Sequence, residues 1–545
     1  MNADVIVVGS GASGVSAAWP LVAAGVRVTM IDVGHTDAAY AGLIPEAPFE
    51  ELRRTDAGQH RYFLGDRCEG IPFGGVRVGA QLTPPRGFIA RDVARLTPSE
   101  SGAFGGLESL AMGGLASGWG AAVSPFGEED LAWCPVPFGE MLPHYAAVAG
   151  LMGVCGEAGD DLTPFVGDLP GMLPPSEIDS AGAKILARYE GARAAVRAAG
   201  LHLGRARLAV CSREHRGRGP HRGLDMDFWS DAARAVYRPR WTLEELKALP
   251  GFTYASGLLA TGFRDHPDRV EVTARRIDGG GDETWSAARL VLAAGTLGTA
   301  RIVLRSMGAL GRRVPLVVNP YTYAPCLNLG MIGKRPVDRR HSLSQVMGFF
   351  EPPRTGSGSA EPLQVQIYSY RSLLTFKLMK DAPLAYREGL VAMRALEPVL
   401  SIVGLHHADS PHEGKGLTLE ATAEGDRLRI EYTPTRAEAA VRDRAERAAL
   451  RVLRKVGLVA IKRIRPGHGA SIHYAGPFPM RASPGALECD RDCRLEGTGR
   501  VHLADGAAFA RLPAKGLTFT MMANAHRVGS AVAATFATAG RGGAS

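Results

Sequence analysis

Two sets of residues at opposite ends of the chain are spaced for chemistry. Asp4-Val5-Ile6-Val7-Val8 runs straight into Gly9-Ser10-Gly11-Ala12-Ser13-Gly14, and far downstream His473 stands among small residues in Gly469-Ala470-Ser471-Ile472-His473-Tyr474-Ala475-Gly476. In the first set each glycine has a reason: Gly9 for a tight strand-to-helix turn, Gly11 so that backbone N–H groups can approach a pyrophosphate, Gly14 so that the helix can pack on the strand. The phosphates then meet the positive end of that helix, at Ala12 and Ser13. A second apolar run, Val26 to Ile31, ends at Asp32, eighteen residues after Gly14, where a carboxylate can accept the hydroxyls of an adenosine ribose. Strand, helix, strand and acid at this spacing predict a dinucleotide site. His473 supplies the other chemistry. A hydride leaves an alcohol carbon only if the hydroxyl proton is taken at nearly the same time, and a neutral imidazole with an ordinary pKa of about 6.5 does this near neutral pH. His468, His502 and His526 compete for that role.

The elements that position these groups are interleaved along the chain. At 545 residues it exceeds the usual single-domain range, so two or more lobes are expected. A glycine-rich passage, Leu107 to Ser124, can lie flat against a planar ligand, with Trp119 as its one large aromatic face. Trp241 to Lys247 reads as a short helix with Thr242 as N-cap, followed by a strand over Phe252 to Ala260 and another over Arg269 to Ala274. Gly279-Gly280-Gly281 predicts a hairpin turn. Arg289 to Gly295 is a buried strand ending in a small-residue turn before a helix over Thr299 to Ser306, a second unit of the kind that closes a dinucleotide sheet. Between 312 and 460 the texture changes. Leu363 to Tyr370 alternates with period two, as a half-buried antiparallel strand does, and presents Gln364, Gln366, Tyr368 and Tyr370 on its polar face. That face suits hydroxyl-rich ligands or, equally, plain solvent. Arg427 to Tyr432 is a further strand, and Arg436 to Lys455 a surface helix with Gly457 as its C-terminal glycine.

Composition is that of an ordinary globular protein, with 46% apolar and 22% charged residues. The first strand starts at residue 4, which predicts no signal peptide, and no apolar run is long enough to span a membrane; a cytoplasmic location is expected. Seven cysteines form no paired framework. Cys489 with Cys493, and His406-His407-Ala408-Asp409, lack further ligands at suitable spacing, so no metal site is expected. The net charge of +8 is diffuse and marks no nucleic-acid surface. The segment from Tyr370 to Val403 mixes basic and apolar residues, the pattern either of a packed helix or of weak peripheral contact with an anionic membrane.

The opening fingerprint, Gly113-Gly114 through Trp119-Gly120, Ala293-Ala294-Gly295, His473 with Gly476, and Gly499 to Ala507 before the last helix together resemble the glucose–methanol–choline (GMC) family of FAD oxidoreductases. The stretches 241–259, 115–126 and 520–532 are further similar to a branch found in bacterial surface-polysaccharide gene clusters. The resemblance implies an α/β fold: a Rossmann-like, doubly wound FAD-binding lobe built from discontinuous segments, and an α+β substrate lobe with an antiparallel sheet. The expected division is 1–150, 236–311 and 463–545 for the FAD lobe, 312–462 for the substrate lobe, and 151–235 as an insertion of mixed character. One FAD per chain is expected, held by Gly9, Gly11, Ala12, Ser13, Gly14, Asp32, Val33, Gly113, Gly114, Ser117, Trp119, Gly120, Ala260, Ala294, Gly295, Asp505, Gly506, Leu517 and Thr518. The implied reaction is oxidation of a CH–OH group, of a sugar, nucleotide sugar or glycan intermediate, by hydride transfer to flavin N5. His473 is then the general base, Gln366 and Tyr368 meet substrate, and the N-terminus of the last helix near Leu517 and Thr518 faces the flavin pyrimidine. The pattern breaks at Gly516, where relatives carry a second catalytic histidine or asparagine; Lys515, Thr518 or a residue of the substrate sheet is expected to substitute. The electron acceptor is open, with a dehydrogenase favoured over an oxidase. A flavin-bound assembly subunit without turnover is the alternative.

Overall fold

The computed structural model describes residues 3–47, 49–69, 84–102, 104–223, 233–334, 343–353, 361–369 and 383–541. Val5–Val8 is buried on both faces, each side chain no more than 4% exposed, as the continuous apolar run of a central parallel strand demands. It pairs in parallel with Val28–Ile31 on one side and Arg289–Leu292 on the other. Phe252–Ala255 and Val501–Leu503 complete a five-stranded parallel sheet drawn from three distant parts of the chain. The helix Ala12–Ala23 follows the first strand and packs on the C-terminal helix Leu517–Arg541. Their backbones approach so closely that a Cβ on Gly529 would sit 2.2 Å from the Ala17 carbonyl oxygen.

Two local expectations are corrected. Phe252 to Ala260 is not one strand: Gly257, at φ +78°, turns the chain, so Leu258–Asp265 leaves the parallel sheet and joins Val270–Arg276 and Asp282–Ala287 in a three-stranded antiparallel sheet. The glycine turn at 279–281 closes that hairpin as expected. Thr242 caps nothing. The helix starts earlier, at Pro239 with Arg238 as N-cap, because proline is preset for the first helical turn, and Thr242 lies inside it against the Tyr237 hydroxyl.

The second lobe is built on a six-stranded antiparallel sheet, in the order Leu458–Ala460, Tyr321–Asn328, Leu400–His406, Leu363–Ser369, Val346–Phe350, Leu201–Arg205. One face, with Leu203, Val346, Val365, Val403 and Leu405, is apolar and packs on the helices Ser180–Gly191 and Arg436–Leu453. The latter opens on a Thr435/Glu438 capping box and gives way at Gly457, φ +83°. Directly opposed residues share a face, and the register puts Tyr321, His406, Gln364 and Phe349 in one row and Tyr323, Gly404, Gln366 and Met347 in the next. The strand 363–369 is therefore an interior strand rather than a half-solvated one: Gln364 and Gln366 are buried, and the polar face looks inward. Tyr370 and the following residues through 382, the first part of the basic amphipathic stretch, lie outside the described residues. Among the described residues no helix is long and apolar enough to cross a membrane and no histidine, cysteine or carboxylate group is clustered for a metal.

Candidate active site

A cavity of 570 Å³ runs from the carboxyl ends of the first two strands to His473. Three helices begin at its wall: Ala12–Ala23, Thr296–Ser306 and Leu517–Arg541, and none carries an acid in its first turn. Free N–H groups and positive dipole ends converge there, the one at Thr296 already met by the Asp505 carboxylate, which favours a ligand with negative charge.

At one end the glycines do what their spacing demands. Gly9 has φ +98°, and a Cβ on it would lie 2.5 Å from the Ala293 carbonyl oxygen; one on Gly14 would lie 1.8 Å from the carbonyl oxygen of Gly9. Gly11 differs. A Cβ there meets only the Cα of Gly114, at 3.9 Å, and otherwise opens on the cavity. Asp32 accepts hydrogen bonds from the Ser10 hydroxyl and, at 3.0 Å, from the Tyr254 hydroxyl, both on Oδ2. Burial nevertheless pushes its carboxyl up to about 6, since no cation balances it. Asp505 is likewise raised to about 6 by burial; it accepts from Thr299 Oγ1 at 2.6 Å and from the Ala507 N–H at 2.9 Å.

At the other end stands His473. Ile472 before it is held at φ +60°, a conformation that costs a β-branched residue on the order of 1–3 kcal/mol and turns the chain at the cavity wall. Just after it, Tyr474–Ala475 pairs with Val317–Val318 in an antiparallel ladder, Val318 opposite Tyr474. One step beyond that ladder His473 faces Asn319, and its Nδ1 lies 3.2 Å from Asn319 Oδ1. The amide is not free to flip. Its Nδ2 donates to the carbonyls of His407 and Pro513, both at 2.8 Å, and carbonyls only accept. Oδ1 must therefore accept from His473 Nδ1–H, which leaves Nε2 as the unprotonated nitrogen. Burial lowers the His473 pKa to about 4, so the ring is neutral at physiological pH. Gly516 lies on its Nε2 side: a Cβ there would be 3.7 Å from Cε1 and 4.0 Å from Nε2.

Of the residues expected to hold the cofactor, Gly9, Gly11, Ala12, Ser13, Asp32, Val33, Gly114, Ala260, Ala294, Gly295, Asp505, Leu517 and Thr518 line the cavity. Gly14, Gly113, Ser117 and Gly506 sit behind that wall; Ser117 donates to the Met112 carbonyl at 2.7 Å, and a Cβ on Gly506 would strike the Tyr474 carbonyl oxygen at 2.4 Å. Trp119 presents no open ring face to the cavity. Its Nε1–H donates to the Tyr237 carbonyl and Arg238 donates to its carbonyl, and Gly120 is beside it. Lys515 turns away from His473, its ammonium bonded to Asp130 and the Phe165 carbonyl. Gln366 and Tyr368 belong to the polar sheet face and are bonded to each other. The competing histidines are engaged elsewhere: His468 packs against Tyr432 with the ring planes tilted by 44°, His502 Nδ1 is 3.1 Å from the Asp492 carbonyl oxygen, and His526 Nδ1 is 2.9 Å from His144 Nδ1. Sequence reasoning missed Asn319, which carries no local mark, and passed over His406, whose ring stands 5.8 Å from that of His473.

No family model matches the chain. Paromamine 6'-oxidase of Streptomyces fradiae is 26% identical over 559 residues, covering 97% of this chain and 91% of that protein. Pyridoxine 4-oxidase of Mesorbium loti shares the fold with a TM-score of 0.56 at 15% identity, over 97% of this chain and 98% of its own. So do an FAD-dependent oxidoreductase of Chaetomium thermophilum, TM-score 0.59 at 14% identity, over 98% of this chain and 100% of its own, and formate oxidase of Aspergillus oryzae, TM-score 0.60 at 10% identity, over 98% of each chain. Fold and site define an FAD-dependent oxidoreductase acting on CH–OH groups. In fold, and in the placing of its glycines and His473, the chain is similar to FAD oxidoreductases of the GMC type. Its residues fit the cofactor: open space at Gly11 for the pyrophosphate, a buried carboxylate without a cation at Asp32 for the ribose, and the Leu517–Thr518 helix end beside His473 for the flavin ring.

Proposed function

We propose that the chain oxidises a sugar-type CH–OH group with His473 Nε2 as the proton acceptor. Bound FAD supplies the hydride acceptor; everything else falls to side chains and backbone. His473 is neutral, held by Asn319 with Nε2 free, and set on the cavity wall, so it can take the hydroxyl proton while the carbon gives up hydride. The Asn319 contact that sets this tautomer is the observation that carries the reading. The start of Leu517–Arg541 offers N–H groups to negative charge developing on the far side of the cavity.

Substrate class is supported by the inward face of the six-stranded sheet. Its rows carry Tyr321, Tyr323, Tyr368, Gln364, Gln366 and His406, rings and amides that suit hydroxyl-rich rings, and no carboxylate among the rows described. Paromamine 6'-oxidase is named for an amino sugar; the face here favours a neutral sugar. Lys515 takes no part in the proton chemistry, its charge being spent on Asp130. The names of three relatives favour dioxygen as electron acceptor over the dehydrogenase expected from sequence. Anaerobic mixing of the holoenzyme with glucose, glucosamine, UDP-glucose and paromamine tests the reading: bleaching by a neutral sugar before an amino sugar is expected, and no bleaching by any of them refutes it. Admitting air to the bleached enzyme then separates oxidase from dehydrogenase.

A further inference from the structure

We propose that His406 is the second side chain that holds the substrate hydroxyl, donating a hydrogen bond to the oxygen whose proton passes to His473; the proposal rests on the reading of His473 given above. His406 ends the strand Leu400–His406 and lies on the polar face between Tyr321 and Gln364 in register. It is 7% exposed, and its Nδ1 is buried without a hydrogen-bond partner. A buried imidazole nitrogen in that state is an exception that calls for a ligand or a water. The ring is fixed in place. Tyr321 packs against it at 4.7 Å between centroids, and His473 stands on another side at 5.8 Å with the planes 30° apart. Two imidazoles at this separation do not bond each other directly but can share one hydroxyl oxygen at hydrogen-bond distance from each.

Two features leave the position to the sheet. Gly516 presents no side chain on the Nε2 side of His473, and Lys515 is bonded to Asp130 and the Phe165 carbonyl. The groups facing His406 are Tyr321 and His473, with His407 adjacent in sequence and Gln364 opposed in register; none is a carboxylate. Burial, with His473 and His407 adding to it, holds the ring well below the usual imidazole pKa, so it serves as a neutral N–H donor and gives up no proton of its own. The hydroxyl O–H bond breaks toward His473 Nε2, the C–H electron pair leaves as hydride to the flavin, and the C=O bond forms. The His406 N–H stabilises the negative charge that builds on the oxygen in between.

The test uses holoenzyme with FAD bound. In His406→Phe, and in His406→Leu as a second packing variant, flavin absorbance is retained while anaerobic reduction by the panel sugar that bleaches wild type slows about 10²-fold, the usual effect of losing one such donor. His406→Gln, whose amide can donate, recovers to within about tenfold of wild type. Wild-type reduction in either apolar variant overturns the proposal. A measurement independent of both sugar and variant uses the wild-type holoenzyme with ¹⁵N-labelled histidine and trifluoroethanol, a hydroxyl too electron-poor to yield hydride. Its binding shifts the nitrogens of two buried histidine rings if His406 shares the hydroxyl; a shift confined to one ring overturns the proposal. If no panel sugar bleaches the wild type, the sugar reading fails while this result still decides the role of His406.

Discussion

At His473 what matters is which nitrogen is free. Asn319 decides it, because two carbonyls fix its amide and leave Oδ1 to accept from Nδ1–H. The consequence for pH differs from what sequence alone suggests. An imidazole at its ordinary value would switch on near pH 6.5; burial lowers His473 to about 4, and the base is active only when neutral. Flavin reduction measured from pH 4.5 to 9 is therefore expected to be flat above about pH 6 and to fall only toward the acid end, and a midpoint near 6.5 would contradict the buried site. Asn319→Asp reverses the balance. A carboxylate beside Nδ1 favours imidazolium and raises the histidine pKa, so the acid limb should move to higher pH, while an unmoved limb would show that Asn319 does not govern the ring. His473 was legible because a lone histidine among small residues near the C-terminus has few other uses. Asn319 was not: its meeting with residue 473 is made by a two-residue antiparallel ladder between segments more than 150 residues apart. In His406-His407-Ala408-Asp409 the two histidines look equivalent, and only strand alternation separates them: His406 faces His473, whereas His407 lies beside Glu446.

Among the elements, the strand–glycine–helix units carry the cofactor site, and two of their glycines should fail differently. A Cβ on Gly14 lies 1.8 Å from a backbone oxygen, so Gly14→Ala should cost the fold itself. A side chain on Gly11 meets open cavity, so Gly11→Val should give a folded protein without FAD. Circular dichroism with the ratio of 450 nm to 280 nm absorbance separates the outcomes, and a yellow Gly11→Val protein would place the pyrophosphate elsewhere. This unit was readable because its signals are local. The strand at Phe252 was misread in length because Gly257, a lone glycine in an apolar run, gives no warning that it will adopt positive φ and pass the chain to another sheet. The inward turn of the 363–369 strand was equally hidden, since alternation reveals two faces but not what covers them.

In the whole molecule the parallel sheet closes only when Val501–Leu503 docks beside Arg289–Leu292 and the last helix reaches the cavity. A ligand touching all three parts stabilises them jointly, by about 2.7 kcal/mol at a free concentration one hundred times its Kd. Stripping FAD should therefore lower the thermal midpoint and re-addition should restore it, one FAD per chain; an unchanged midpoint would mean that the cavity is not the cofactor site. The account as a whole stands or falls on proton removal at His473. Anaerobic stopped-flow mixing of wild type and His473→Gln with the sugar that bleaches wild type should show equal FAD absorbance before mixing and reduction of the variant slowed by ~10²–10⁴-fold. Reduction of His473→Gln at wild-type speed, with FAD fully bound, would contradict the account and put the proton acceptor elsewhere.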